Sequence, residues 1–421
     1  MTYARTRLLA GSTAFAAVAT ALTGCGLLPG ADAETRTVTV WLMKDSVSDG
    51  FLARFTEEFK KDHDSIELDI EIQEWTGIGD KVTAALRSDE APDLIEVGNT
   101  QVAQYAEGDG LRDLSAESVG DLGSKDWLPG LADPGSINGR QFGIPWYAAN
   151  RVVIYNKDLF KEAGITQPPA TRDQWLTDTA ALNSTDTQGI YLAGQDWYTL
   201  AGFVWDEGGE LAEETGGDWQ GALHTPAALK GMDFYQRLQA LGSGPKNADE
   251  ATPPQADVFA EGDVAQIVSI PGAAKLIEQR SPELKGKLGY FPIPGKSEAR
   301  PGAVLAGGSD LIVPEKSDAQ DAAIEVVKAL AGEKWQTELS RAMSYVPNKT
   351  SLANVIEGQE GTAAMAAGAA QGRTPPNSPQ WAAVEADNPI KTYMAQALTG
   401  DDPARAARAA SGEITRMLAA R

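Results

Sequence analysis

The sequence predicts an α/β protein. Apolar residues in the first folded stretch switch repeatedly between strand-like alternation and helical spacing, in the order β-α-β-α-β. That order normally builds a parallel sheet flanked by helices. In addition, 421 residues of which 42% are apolar are enough for two cores of ordinary domain size.

The chain opens with a segment that is not part of this pattern. Arg5 and Arg7 precede an apolar run from Leu8 to Leu22, too short for an ordinary membrane-spanning helix, and Leu22-Thr23-Gly24-Cys25 closes it. Cys25 is the only cysteine, so no disulfide can form within the chain. The block resembles a bacterial lipoprotein signal. That resemblance implies cleavage of residues 1–24, acylation of Cys25, and a protein held by lipid on the outer face of the cytoplasmic membrane. Residues 25–36 carry Gly, Pro and small residues without periodicity and read as a lipidated tether. The alternative is a plain secretory peptide with an incidental cysteine.

The folded part is expected to begin near Thr37. Val38, Val40 and Leu42 alternate with Thr37, Thr39 and Trp41, the pattern of a strand. Phe51, Leu52, Phe55 and Phe59 then share one helical face, after Ser46 and Ser48, either of which could cap the helix. Ile66, Leu68, Ile70 and Ile72 mark a second strand, Val82 and Leu86 a second helix, and Asp93 to Val97 a third strand. Val102 and Tyr105 lead another helix. In sheets of this kind ligands bind beyond the carboxyl ends of the strands. That rule selects Trp41, Met43 and Lys44 after the first strand, Glu74, Trp75 and Thr76 after the second, and Gly98-Asn99-Thr100-Gln101 after the third. Asn99 and Gln101 offer amide groups to an oxygen-rich ligand, although Asn99 or Thr100 could equally cap the helix, and both roles are compatible. Residues 111–140 read as loop. Towards the C-terminus, Ala322 to Leu330 and Ala404 to Leu418 fit helices.

Phe142-Gly143-Ile144-Pro145-Trp146-Tyr147-Ala148-Ala149-Asn150-Arg151-Val152-Val153-Ile154-Tyr155-Asn156, followed by Phe160 and Glu162, resembles family 1 of the extracellular solute-binding proteins of ABC importers, the group that contains maltose-binding proteins. Trp146 and Tyr147 depart from that pattern, standing where an aliphatic and a small residue are usual. Ala91-Pro92-Asp93-Leu94-Ile95, Glu261 to Ile267 before the Gly272 loop, Gly307-Gly308-Ser309-Asp310-Leu311-Ile312-Val313-Pro314 and Ser344-Tyr345-Val346-Pro347-Asn348 extend the resemblance in order along the chain. It implies a two-lobed, periplasmic-binding-protein-like fold whose lobes, joined by hinge crossovers, close on solute. Residues 37–145 and 304–345 would form the N-terminal lobe, and residues 146–303 and 346–421 the C-terminal lobe. Within the family, Trp75 to Ile78, Val97 to Gln101 and Ala149 to Arg151 look most similar to actinobacterial lipoproteins that bind N-acetylglucosamine oligosaccharides. The partners so implied are a mono- or oligosaccharide and the permease subunits of an ABC importer, with the chain expected to act as a monomer, without catalysis or cofactor.

The residues themselves suit a sugar, which presents hydroxyls at its rim and a weakly apolar face, and so calls for aromatic platforms beside planar polar groups. Trp41, Trp75, Trp146 and Tyr147 fall at strand ends or the crossover, and Gln195-Asp196-Trp197-Tyr198 opens a predicted helix. Trp205 ends that helix before Gly208 and Gly209, where glycine can take a left-handed cap, and stands open between core and platform. Trp127, Trp175, Trp219, Trp335 and Trp381 are taken as structural. The polar candidates are Asn99, Gln101, Asp196, Ser309 and Asp310, with Lys44 and Arg151 as donors; Asp196 and Asp310 could each accept two hydroxyls, or simply cap or solvate. Gly272 and Tyr345 join them through the resemblance.

Other chemistries find less support. A formal net charge of −23 argues against nucleic acid and favours a neutral or cationic solute. His63 and His224 have no Cys or His neighbour, so no metal site is expected. Gly295-Lys296-Ser297 has Tyr290 where a P-loop requires glycine. Gly307 to Leu311 lacks the second flanking glycine of a nucleophile elbow. An exported glycoside hydrolase, or a receptor for a peptide or other non-sugar solute, remains as the alternative.

Overall fold

A computed structural model describes residues 35–420 apart from 357, 377 and 379. The leader, Cys25 and nearly all of the tether lie outside the described residues. In chain order the elements that build the site are β1 (Arg36–Met43), α1 (Asp49–Asp62), β2 (Ile66–Gln73), α2 (Ile78–Arg87), β3 (Leu94–Gly98), α3 (Val102–Glu107), β4 (Gly143–Ala149) and β5 (Val152–Asn156). There follow α4 (Arg172–Leu182), α5 (Trp197–Asp206), α6 (Pro226–Gln239), β6 (Gln266–Ser269), α7 (Ala273–Arg280), β7 (Leu288–Pro292) and β8 (Gly307–Ile312). The last are α8 (Gln320–Leu330), α9 (Glu333–Met343), β9 (Val346–Pro347), α10 (Trp381–Asp387), α11 (Pro389–Thr399) and α12 (Pro403–Leu418).

The first lobe is built on a six-stranded sheet of order β9-β4-β8-β3-β1-β2. β1 pairs in parallel with both β2 and β3, as expected, whereas β8 runs antiparallel to β3 and β4, so the sheet is mixed. The alternation in β2 is only partly cashed in burial, because β2 is an edge strand, and Ile72 remains exposed. On one face Phe51, Phe55 and Phe59 of α1 pack with Trp335 of α9, whose ring meets Phe51 and Phe55 edge-on at 5.6 and 5.0 Å. On the other, Ile78, Val82 and Leu86 of α2 cover Ile95, Val97 and Ile312. Ser48 is the residue that caps α1, accepting from the Phe51 N–H. Asn99 and Thr100 do not cap α3: they lie in a 3₁₀ turn, Asn99–Gln101, and no side chain caps either helix start. Residues 111–140 hold short helices and a two-residue hairpin rather than plain loop; pieces so short leave no periodicity to read.

The second lobe centres on a three-stranded antiparallel sheet, β6-β5-β7. Helices α4, α5, α6, α11 and α12 enclose a large core on one side, which includes Trp175, Phe203, Tyr235, Met394 and Ile414. A smaller core on the other side holds Ile154, Phe259, Ile267 and Ile277. β5 follows β4 after only Asn150 and Arg151, so one crossover between lobes is two residues long. Val304–Leu305 pairs with Gly372–Arg373 on the return path to β8.

Candidate functional site

β1 lies between β2 and β3, so successive connections leave it in opposite directions and open a crevice beyond the carboxyl ends of β1 and β3. The end of β4 and the start of β8 meet the same edge, since Gly307 pairs with Ala149 and Ser309 with Gly98. The crossovers into the second lobe leave from there.

At this edge Glu96 of β3 is wholly buried. It accepts from the Met43 N–H at 2.8 Å, the Tyr147 hydroxyl at 2.8 Å and Ser309 Oγ at 2.7 Å. Burial pushes its carboxyl above the usual range against the pull of these bonds. Ser46 lies 3.1 Å from the Tyr147 hydroxyl, and Tyr345 stacks on the Tyr147 ring at 4.1 Å. Tyr147, Ser309 and Tyr345 are therefore brought together as the buried wall of the edge. Lys44 and Trp75 form its rim: the Lys44 ammonium pairs with Glu74 at 2.9 Å, and the Trp75 indole donates to the Lys44 carbonyl while 42% of the residue stays exposed. Asp45 beside them takes a left-handed backbone, φ 64°. Asn99 is buried with no partner for its amide nitrogen, and Gln101 accepts from the Tyr105 hydroxyl at 3.4 Å.

Across the crevice, Arg151 is the centre of the second-lobe surface. Its guanidinium pairs with Asp196 at 3.3 Å and Glu250 at 2.6 Å and lies over the Tyr198 ring at 4.2 Å. Asp196 also caps α5, accepting from the Thr199 N–H at 3.2 Å and its hydroxyl at 2.6 Å. Burial, together with the Asp196 charge, raises the Glu250 carboxyl. Both carboxylates are thus committed to one guanidinium instead of standing as a separate acid and nucleophile. Arg151, Tyr198 and Thr199 face Ile293 and Ala303 to Leu305 across a cavity of about 10 Å³, room for roughly one water. A groove of about 370 Å³ lies at the far end of β5, lined by Tyr155, Lys157 and Phe160, away from the crossovers.

The lobes touch on both flanks of the crevice. On one, Thr100 Oγ1 donates to Glu385 Oε2 of α10 at 2.8 Å, and the Trp381 indole donates to Glu385 Oε1 at 2.8 Å. On the other, Gly272 approaches the end of α9 so closely that an added Cβ would lie 3.0 Å from the Met343 carbonyl. The arrangement is closed.

Several expected contacts fall elsewhere. Trp146 is fully enclosed in the first-lobe core: it is the extra residue of a bulge in β4, where Tyr147 pairs with Ser309 and Pro145 with Asp310, and its ring lies 5.2 Å from that of Tyr147. Trp197 and Trp205 both belong to the second-lobe core, leaving Tyr198 as the aromatic that faces the cavity. Trp41 is half-buried beneath the Lys81 ammonium, 4.6 Å from its ring centre. Asp310 reaches away from the edge toward Gly143, where any side chain would collide with it; its oxygens have no partners and burial holds it well above the usual carboxylate range. Gly272 serves the approach of the lobes. Glu96, Glu250 and Glu385 escaped sequence reasoning, and only Asp45, adjoining Lys44 at a strand end, carried a usable positional signal; Trp381, expected to be structural, does lie in the second-lobe core. Among the described residues no cluster of His, Cys, Asp or Glu could hold a metal ion, and no helix is long and apolar enough to cross a membrane.

Residues 44–337 match the family model described as bacterial extracellular solute-binding protein. The chain is 38% identical over 385 residues to the diacetylchitobiose binding protein DasA of Streptomyces coelicolor, covering 91% of this chain and 90% of that one. It is 25% identical over 341 residues to the mannitol-binding protein of Pseudomonas aeruginosa, covering 77% and 74%. Among solved structures, the ABC transporter solute binding protein of Thermotoga lettingae bound with alpha-D-tagatose aligns with a TM-score of 0.82 at 21% identity, covering 91% of this chain and all of that one. The GacH receptor of Streptomyces glaucescens aligns with a TM-score of 0.80 at 23% identity, covering 91% and 98%. At these identities the structural likeness establishes the two-lobed fold.

Proposed function

The chain belongs to the bacterial extracellular solute-binding protein family, and from that premise we propose that it is the carbohydrate receptor of an ABC importer, capturing an N-acetylglucosamine oligosaccharide of the diacetylchitobiose type. The observation that carries this reading is the 38% identity to DasA along nine-tenths of both chains. The protein binds solute and performs no chemistry on it.

In this reading the two lobes part to admit sugar and close over it, and the closed form docks on the permease; because β4 and β9 belong to the first-lobe sheet, the first lobe runs to about residue 149 and again to about 347, past the expected limits of 145 and 345. Trp75 supplies an exposed platform, with Lys44, Asn99 and Gln101 as polar contacts from the first lobe. The unpartnered Asn99 amide supports that role, since a buried donor calls for an acceptor such as a sugar oxygen. From the second lobe, Tyr198 and the Arg151–Asp196–Glu250 cluster would meet the sugar. Carboxyl groups at Glu96, which is buried, and at Glu250 and Glu385, which are part-buried, make the crevice unfavourable to an anion and compatible with a neutral acetamido sugar. Processing before Cys25 and lipid on its thiol would keep a monomeric receptor beside the permease.

Calorimetric titration of the protein with diacetylchitobiose, N-acetylglucosamine, cellobiose, maltose and mannitol tests the reading. Saturable binding of the acetamido sugars, recovered chemically intact, is expected. Preference for another solute in the panel, or silence across it, contradicts it.

A further inference from the structure

Resting on the capture of solute between the two lobes, we propose that Asp206 is a positioning residue of that capture: at the far end of helix α5 it accepts the backbone N–H of Ala303, which lays the return crossover along the helix and sets Ala303–Leu305 as the wall opposite Arg151 and Tyr198. Asp206 makes no contact with sugar in this scheme and acts through the crossover.

The pattern begins in the sequence of α5. Trp197, Ala201 and Trp205 fill the second-lobe core, and the neighbouring stripe at i, i+4 and i+8 is Tyr198, Gly202 and Asp206. Each member of that stripe meets the same piece of chain. Asp206 Oδ1 accepts from the Ala303 N–H at 2.9 Å. One turn back, Gly202 brings the helix so close to the crossover that any side chain there would collide with the Ala303 carbonyl. At the crevice end, Tyr198 and Thr199 line the small cavity together with Ala303, Val304 and Leu305. The crossover therefore runs backwards along the helix, from Asp206 toward the crevice, before it enters β8 of the first lobe. The same helix is tied to the other crossover as well, since its capping residue Asp196 pairs with Arg151 at 3.3 Å. Along the helix axis the two anchors, Asp196 and Asp206, stand about 15 Å apart.

What holds Asp206 is buried and charged. Arg172, the first residue of α4, is 4% exposed and lies over the Phe203 and Phe234 rings at 4.7 and 4.8 Å. Its guanidinium stands 2.8 Å from Asp206 Oδ2 and 3.4 Å from Glu207, and Glu207 is shared with Lys296 at 3.0 Å. A buried ion pair gives little net stability over apolar residues of the same volume, because both charges lose their water. This one supplies direction: with Oδ2 drawn to the guanidinium, Oδ1 is the oxygen aimed at Ala303. A wall fixed in advance spares solute binding the entropy of ordering it. Without the anchor, Ala303–Leu305 is free to shift against Tyr198 and Arg151, and a sugar held there loses part of its fit.

The test combines calorimetric titration of diacetylchitobiose with hydrogen exchange of the Ala303 amide, on the full chain and its Asp206→Ala, Asp206→Asn and Gly202→Ala variants, each with its urea midpoint. Asp206→Ala is expected to weaken binding about two- to tenfold, the worth of one hydrogen bond, and to speed exchange at Ala303 by a similar factor. Gly202→Ala, which wedges helix and crossover apart without touching the ion pair, is expected to do the same. Asp206→Asn, which keeps an oxygen for the Ala303 N–H while losing the charge, is expected to lower the urea midpoint yet to retain wild-type affinity and exchange. A purely structural role would make affinity follow the midpoint in all three. Wild-type affinity in Asp206→Ala, or a loss in Asp206→Asn equal to that in Asp206→Ala, overturns the proposal. Should the wild type bind no sugar at all, the carbohydrate reading fails, and exchange at Ala303 in the two alanine variants alone decides for or against the anchor. Should Asp206→Ala fail to fold, unchanged affinity in Gly202→Ala overturns it.

Discussion

Arg151 holds two carboxylates, Asp196 and Glu250, at the mouth of the second lobe, and none of the three is more than a fifth exposed. Removing the cation would leave two like charges facing each other in a poorly solvated place. Arg151→Met is therefore expected to lower stability by about 3–5 kcal/mol, read from the urea midpoint, with partial recovery in Arg151→Met/Glu250→Gln, which removes one of the stranded charges. Equal stability of Arg151→Met and wild type would contradict this. Lysine is a poor substitute here because the guanidinium engages both carboxylates and the Tyr198 face at once. The same scale explains what the sequence could offer for the site. Lys44 and Trp75 were legible because they follow strand ends, where the fold rule places ligands. The adjacent pair Trp146 and Tyr147 could not be resolved by alternation, because a bulge at Trp146 puts both rings in one core while the Tyr147 hydroxyl alone reaches Glu96. Glu250 and Glu385 come from distant turns and helices whose local sequence resembles any solvated acidic stretch, so nothing but tertiary structure identifies them.

At the scale of elements, β1 and α1 were legible because alternation and helical spacing are cleanest where one face is buried, while β3, buried on both faces, shows as a short apolar run. The cap on α1 was narrowed to two serines, and the structure divides their work. Ser48 accepts from the Phe51 N–H, while Ser46 is buried against Tyr147. Ser48→Ala should cost about 1 kcal/mol in thermal or urea unfolding without changing solute affinity; a loss of affinity at unchanged stability would place Ser48 in the site instead. The antiparallel entry of β8 into the sheet was not legible, because pairing direction is decided by a partner more than two hundred residues away. Asp310 was misplaced for a related reason. Ser309 and Asp310 are neighbours on β8 in unbroken register with β3, and alternation turns Ser309 to the Glu96 network while sending Asp310 to the other face, toward Gly143.

For the whole molecule, two lobes joined by short crossovers meet on both flanks of the crevice: on one, α10 packs against α2, α3 and the Asn99–Gln101 turn, with Thr100 bonded to Glu385, and on the other Gly272 lies against the end of α9. With the lobes in contact on both flanks, a sugar that is to touch both of them enters when they separate. Sugar and closure are then thermodynamically coupled, because a ligand held by both lobes has its full set of contacts only when they are together. Small-angle scattering with and without diacetylchitobiose reads this coupling directly. Capture by closure predicts a sugar-free particle more extended than the closed structure, contracting to match it when sugar saturates; saturable binding of the sugar with an unchanged scattering profile would contradict it.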